Sequence, residues 1–251
     1  MSKIHTPTSC VLARRGLVSL VLVTMLVSAN APAIAASSGT PNGQERTADM
    51  REAQDLVVRS RMALNDFLTN AQMGDPVRTL LRRAQAVAIF PQVLEGAFVF
   101  GAAGGTGIVL ARRGANTWSD PAFYTMGEMS FGLQAGGEAS EVLLVALTDR
   151  GRAALQSTSA KLGADAGVAL GPMGLGAAAA TENLSADIVS YVMSKGLYAG
   201  VSVSGSVVAV RTALNQAYYG RPVTPTDILV AQTVTNRQAG PLVGEIRRIA
   251  S

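Results

Sequence analysis

"EVLLVALT", Glu141–Thr148, is apolar at almost every position, so drawn as a strand it is apolar on both faces. A strand with one wet face alternates apolar and polar residues. One that does not belongs in the middle of a sheet covered on both sides. Working outward, period-two patterning starts at Ala86. "AVAIF", "AFVFGAAG", "TGIVLAR" and "SFGLQAGGE" precede the central run, and "AKLGADAGVAL" (160–170) and "SKGLYAGVSVSGSVVAVR" (Ser194–Arg211) follow it. Each reads as a strand, and short turns rich in Gly, Asn, Asp and Pro separate them. Asp149–Ser157 reads as a short helix inserted between strands.

The Ser194–Arg211 stretch alternates strictly yet spends three glycines, Gly196, Gly200 and Gly205. Glycine weakens a strand because it loses the most backbone entropy and packs nothing. Its use here implies a sheet that bends, or a neighbour that comes close to the backbone.

Helices bracket the strands. Met50, Ala53, Leu56, Val57, Leu64, Phe67 and Leu68 recur at helical steps through Thr47–Asn70, and "MGDP" breaks that helix. Asp75 then reads as the cap of a second helix with Pro76 in its first turn. Its stripe is Val77, Leu80, Leu81 and Ala84, with Arg78, Arg82 and Arg83 outside it. After Arg211, "TALNQAYYG", "TPTDILVAQTV" and "GEIRRIA" read as helical. The expected fold is a single α+β domain: a Gly-rich, curved, largely antiparallel sheet flanked by N-terminal and C-terminal helices.

The start of the chain reads as an export signal. Arg14 and Arg15 precede the run "GLVSLVLVTMLVSA", and small residues at Ala33 and Ala35 follow it. Residues 1–35 are the expected signal peptide, 36–46 a flexible leader and 47–251 the domain. The expected location is the periplasm or cell envelope. The formal charge of the whole chain is +4. Removing the leader takes away Lys3, Arg14 and Arg15 and no acid, leaving a nearly neutral chain that argues against a nucleic-acid partner. The only histidine, His5, and the only cysteine, Cys10, also lie in that leader. The rest has no means of building a disulfide, a thiol nucleophile, a Ser-His dyad or a histidine metal site.

"GAAGGTG", Gly101–Gly107, has the look of a phosphate loop but is followed by the strand "IVLARR" instead of a helix, so a hairpin or a crease in the sheet explains it better. The carboxylates Glu128, Glu138, Glu141, Asp165, Glu182 and Asp187 are scattered, and Lys161 with Asp165 reads as an exposed pair. Trp118, the sole tryptophan, reads as a core anchor. Arg46, Arg51, Arg59 and Arg61 on the first helix are balanced by Asp49, Glu52, Asp55 and Asp66. On the second helix Arg78, Arg82 and Arg83 have only Asp75 beside them. They are the candidate contact for an anionic lipid surface.

The blocks "AIFPQVLEGAFVFGAAGGTGIVLAR", "WSDPAFYTMGEMSFGLQAGGEASEVLLVALT", "LGADAGVALGPMG", "SKGLYAGVSVSG" and "NQAYYG" resemble, in order and spacing, the SYLF domain family, also called the Ysc eighty-four actin-binding family. The resemblance covers roughly Ala48–Gln232 and points to an exported bacterial member. It implies membrane or phosphoinositide association, actin binding in yeast relatives, no enzyme activity and no cofactor. Lys195 and Gly196 match the family block and add Lys195 to the lipid-binding candidates. Two positions depart: Glu95-Gly96-Ala97 stands where many relatives read Lys-Ala-Gly, and Leu175 stands where many carry arginine. The expected function is therefore non-enzymatic binding of anionic lipid, with a protein-interaction or structural module as the alternative.

Overall fold

The alternation that starts at Ala86 sorts side chains to two sides of one sheet. Val87 and Ile89 join one apolar cluster, while Ala86, Ala88 and Phe90 join another. The computed structural model describes residues 43–95, 102–129, 138–174, 185–194, 197–198 and 202–251. The expected signal peptide lies outside these residues, as does Lys195. So do Gly196, Gly200, Leu175, Glu182 and most of "SFGLQAGGE".

Two helices come first, α1 (Gly43–Thr69) and α2 (Gly74–Arg83). Strands β1 (Ala86–Glu95), β2 (Ala102–Gly114), β3 (Thr117–Trp118), β4 (Ala122–Met129) and β5 (Glu138–Ala146) follow. Helix α3 (Asp149–Gln156) leads to β6 (Ser159–Lys161), β7 (Val168–Leu170), β8 (Ile188–Ser194), β9 (Leu197–Tyr198) and β10 (Val207–Val210). Helices α4 (Thr212–Tyr219) and α5 (Gly240–Ile249) end the chain. The sheet order is β6-β10-β4-β2-β1-β5-β8-β7, and every described pairing is antiparallel except β7 with β8.

The central run lies where its composition puts it, with β5 between β1 and β8. Leu143 and Val145 pack under α1, α2, α4 and α5, and Val142, Leu144 and Ala146 pack on the side of α3. The α1 stripe is buried from Ala53 to Leu68, including Leu56, Val57, Leu64 and Phe67, but Met50 is exposed.

The sheet curls, and chain length forces it to. Flat, eight strands about 4.8 Å apart would hold their outer edges some 34 Å from each other. Here the outer strands β6 and β7 are consecutive in sequence, and the link between them would reach at most about 25 Å fully extended. It is in fact folded into a turn: Gly163 N–H donates to Ala166 O at 2.9 Å, and Asp165 N–H to Lys161 O at 2.9 Å. Leu162 continues the ladder to Ser206, and Gly167 O accepts from Ile188 N–H. "AKLGADAGVAL" is thus two short strands on opposite edges, not one.

The crease is made by glycine, but chiefly in β2. In β1 the register slips between Ile89 and Val93 on both sides, a bulge that admits Pro91. Gly105 and Gly107 pass across that bulge, and a Cβ on them would overlap the carbonyl oxygens of Gln92 and Ile89. "GAAGGTG" is therefore a sheet crease. The Ser194–Arg211 stretch, by contrast, is not one strand. It is strand at β9 and β10, with a turn between them in which Gly205 takes φ of 98°. Nothing crowds Gly205, so its conformation, and not a close approach, calls for glycine.

Other boundaries moved. Helix α1 begins at Gly43, inside the expected leader. Asp75 lies within α2; the N-cap position is Met73, which makes no side-chain cap, while Asn70 Oδ1 accepts from Gln72 and Met73 N–H. "TPTDILVAQTV" forms only one π-helical turn, Thr226–Val230, because Gln232 takes φ of 51° and turns the chain away.

Candidate functional site

Arg112, at the end of β2, organises the basic end of the fold. Its Nη2 donates to the carbonyls of Leu81 (3.0 Å) and Arg82 (3.1 Å) at the end of α2, and to Ala250 (3.3 Å) at the end of α5. Its Nη1 donates to Ala115 O at 3.0 Å, and the guanidinium lies 5.1 Å from the centre of the Trp118 ring. The last carbonyls of a helix have no partners of their own, and the negative end of the helix dipole favours a cation. One side chain thus finishes two helices and holds their ends within two hydrogen-bond lengths of each other. Burial lowers the Arg112 pKa from its ordinary value, yet an arginine stays charged at neutral pH. Trp118 is the buried anchor expected of it.

This joint gathers arginines from both helices. Arg82 and Arg83 occupy the last turn of α2, and Arg247 and Arg248 the last turn of α5; all four are exposed. The only acid in each helix is turned elsewhere. Asp75 pairs with Arg78 at 3.3 Å, and Glu245 pairs with Arg61 at 3.0 Å. Arg113, next along β2, donates to Gln232 Oε1 at 3.2 Å.

The candidates read from the sequence therefore separate. Arg82 and Arg83 belong to the basic pole. Arg78 lies nearly a turn earlier, partly covered and paired with Asp75, and Lys195 is outside the described residues. Sequence reading missed Arg112, Arg247 and Arg248, although a signal was present. Beyond residue 35 the sequence holds three Arg-Arg pairs, 82–83, 112–113 and 247–248, and each ends a strand or helix.

Asp165 and Asp120 serve structure. Asp165 Oδ2 accepts the Lys161 backbone N–H at 2.7 Å and closes the turn between β6 and β7, a backbone tie where a side-chain pair was expected. Asp120 Oδ2 accepts the Asn236 N–H at 2.6 Å, and burial raises its pKa. Among the described residues no group of three or more His, Cys, Asp or Glu is arranged to hold a metal ion, and no helix is long and apolar enough to cross a membrane.

The described residues form a creased α+β domain with arginines gathered at one end. Residues 127–249 match the family model described as "Ysc84: Las17-binding protein actin regulator". The chain is 32% identical over 192 residues to Protein YSC84 of Saccharomyces cerevisiae, covering 74% of this chain and 40% of that protein. It is 32% identical over 166 residues to SH3 domain-containing YSC84-like protein 1 of Homo sapiens, covering 65% and 48%. With LAS seventeen-binding protein 3 of Saccharomyces cerevisiae it shares 33% identity over 154 residues, covering 60% and 33%. The chain belongs to the Ysc84, or SYLF-domain, family. It spans less than half the length of these relatives; the family description and the name of one of them speak of binding and regulation, and none of the names gives an enzyme activity.

Proposed function

We propose that this protein is a non-catalytic module that docks on an anionic lipid surface through the pole formed by Arg82, Arg83, Arg247 and Arg248. The observation that carries this reading is the convergence on Arg112 of two helix ends whose last turns each carry two exposed arginines, while Asp75 pairs with Arg78 and Glu245 with Arg61. Each arginine near such a surface contributes about 1 kcal/mol, falling with salt. Four together would strengthen binding on the order of a thousandfold at low salt. On the same reading, residues 1–35 direct export and the surface met is an envelope membrane; amino-terminal sequencing of the exported chain checks cleavage after Ala35.

The test is cosedimentation of the purified protein with phosphatidylcholine vesicles, with and without phosphatidylserine. Binding should require the anionic lipid and weaken at least tenfold when all four arginines become glutamine, while Arg78→Gln changes it less than twofold. A folded quadruple variant that binds like the parent would overturn the proposal. A second reading, docking to a protein, draws on the description of the family and the name of one relative, which speak of Las17 binding and actin regulation. Salt separates the two, since a dry apolar interface survives ionic strength that releases an arginine contact.

A further inference from the structure

Glu141 of β5 lies beside the last turns of α1, opposite the bulge of β1. Val142 pairs with Phe90 and Ser140 with Val93, which leaves Glu141 against Pro91 and Gln92. Its Oε2 is closed to solvent and has no hydrogen-bond partner among the described residues. A charge there is costly, whereas a protonated carboxyl is neutral. The surroundings add to that cost. Asp66 of α1 borders the same groove and its carboxylate acts on Glu141. The last turn of α1 holds no basic residue, so the negative end of the helix dipole is uncompensated there. Arg59, the one cation in the groove wall, donates to Gln92 Oε1 at 3.4 Å. From β1 and β8 the groove receives Pro91, Gln92 and Met193, and no charge.

The same spot holds the corner between α1 and α2. Glu141 pairs with Met193 across β5 and β8, and the Met193 sulfur accepts from Asn70 Nδ2 at 3.9 Å. Asn70 shapes the corner: its Oδ1 accepts from the Gln72 and Met73 N–H groups, and its carbonyl accepts the Gly74 N–H at 2.9 Å. The residue that holds the corner thus rests on the strand neighbour of Glu141.

We infer that Glu141 is a proton-controlled latch on this corner: protonated, it lets the end of α1 seat on the sheet, and ionised, it favours a form in which that end lifts and the carboxylate meets water. Burial first, and then Asp66, raise the pKa of the seated form from 4.5 to about 7. In the lifted form water returns the carboxyl toward 4.5. The seated form therefore holds a proton between those values that the lifted form releases. Opening becomes easier as pH rises through that window and levels off above it.

Amide hydrogen exchange of the purified protein without lipid tests this independently of the vesicle experiment, with rates expressed as protection so that the intrinsic pH dependence drops out. Protection at Asn70, Gln72, Met73 and Gly74 should fall roughly tenfold or more from about pH 5 to pH 7.5 and level off above. Low concentrations of urea should leave it unchanged, because a local opening exposes little surface, while exchange at Phe123, whose N–H donates to buried Asn215, rises with urea. Glu141→Gln should keep the corner protected across the whole range, and Asp66→Asn should bring the levelling-off to lower pH. Protection at the corner that does not change with pH, a folded Glu141→Gln variant with the parent's pH dependence, or corner exchange as sensitive to urea as that of Phe123 would each overturn the inference.

Discussion

Thr148 and Asp187, 39 residues apart, are joined by a 2.6 Å hydrogen bond from the threonine hydroxyl to Asp187 Oδ1. The same hydroxyl accepts the Gly151 N–H at 3.1 Å and so caps α3. The other carboxylate oxygen accepts the Gly167 N–H at 2.9 Å and lies 3.8 Å from Arg150. One aspartate thus ties the start of α3 to the approaches of β7 and β8.

Asp187→Asn should destabilise the protein by about 1–3 kcal/mol at neutral pH, because an amide cannot accept at both ends. The threonine hydroxyl, the Gly167 N–H and Arg150 hold the Asp187 pKa below 3.8 in the folded state. Its contribution is therefore present above that value and lost as pH falls through the folded pKa. Thermal melts of parent and variant should differ at pH 7 and draw together as the pH falls below 3.8.

Glu141 gives the opposite slope. Burial first, and then Asp66, push its folded pKa up from 4.5 to about 7. The unfolded state binds fewer protons between those values, so this group's effect on stability worsens as pH rises from 4.5 through 7. Glu141→Gln should melt above the parent at pH 8 and close to it at pH 4, read from thermal melts.

Gly107→Ala should cost about 1–3 kcal/mol, since its methyl meets the Ile89 carbonyl and the Phe90 ring at the bulge. Urea unfolding of this variant beside Gly43→Ala, where no atom lies within 4 Å, checks that the loss comes from crowding.

Asn215 is fully buried, and its amide both accepts from Phe123 N–H at 2.9 Å and donates to Phe123 O at 3.2 Å. Asn215→Ala takes the Asn215 partner from the Phe123 N–H, while the Phe123 carbonyl keeps the Arg211 N–H at 2.8 Å, and should lower stability by about 1–3 kcal/mol, read from chemical denaturation. Amide hydrogen exchange should rise first at Phe123.

The layout was legible wherever a local pattern repeats. Val87 and Ile89 against Ala88 and Phe90, and Leu143 and Val145 against Val142 and Leu144, state a sheet with two covered faces, and the α1 stripe states its cover. Pattern failed where one backbone angle decides. Gly205 and Gln232 each end an element that periodicity would continue, and a φ leaves no trace in hydropathy. It failed again for "AKLGADAGVAL", whose alternation says nothing about which strand each half will join. The basic pole was half legible. Arg82 and Arg83 stand out in their helix, but the end of α5 is brought beside them by Arg112, whose hydrogen bonds to Leu81 O and Ala250 O relate segments far apart in the chain.

The turn from Leu162 to Gly167 also bears on how the molecule resists being taken apart. An open sheet can be peeled, because an outermost strand leaves without disturbing the far side. Here the outermost strands are neighbours on one short piece of chain, so pulling β6 away from β10 drags on β7 and β8 as well. The sheet behaves as a hoop with a clasp, and Asp165 and Asp187 lock that clasp from either side. Lengthening the clasp by a few glycines would leave every ladder bond possible, yet would give back the loose ends on which another chain can add a strand.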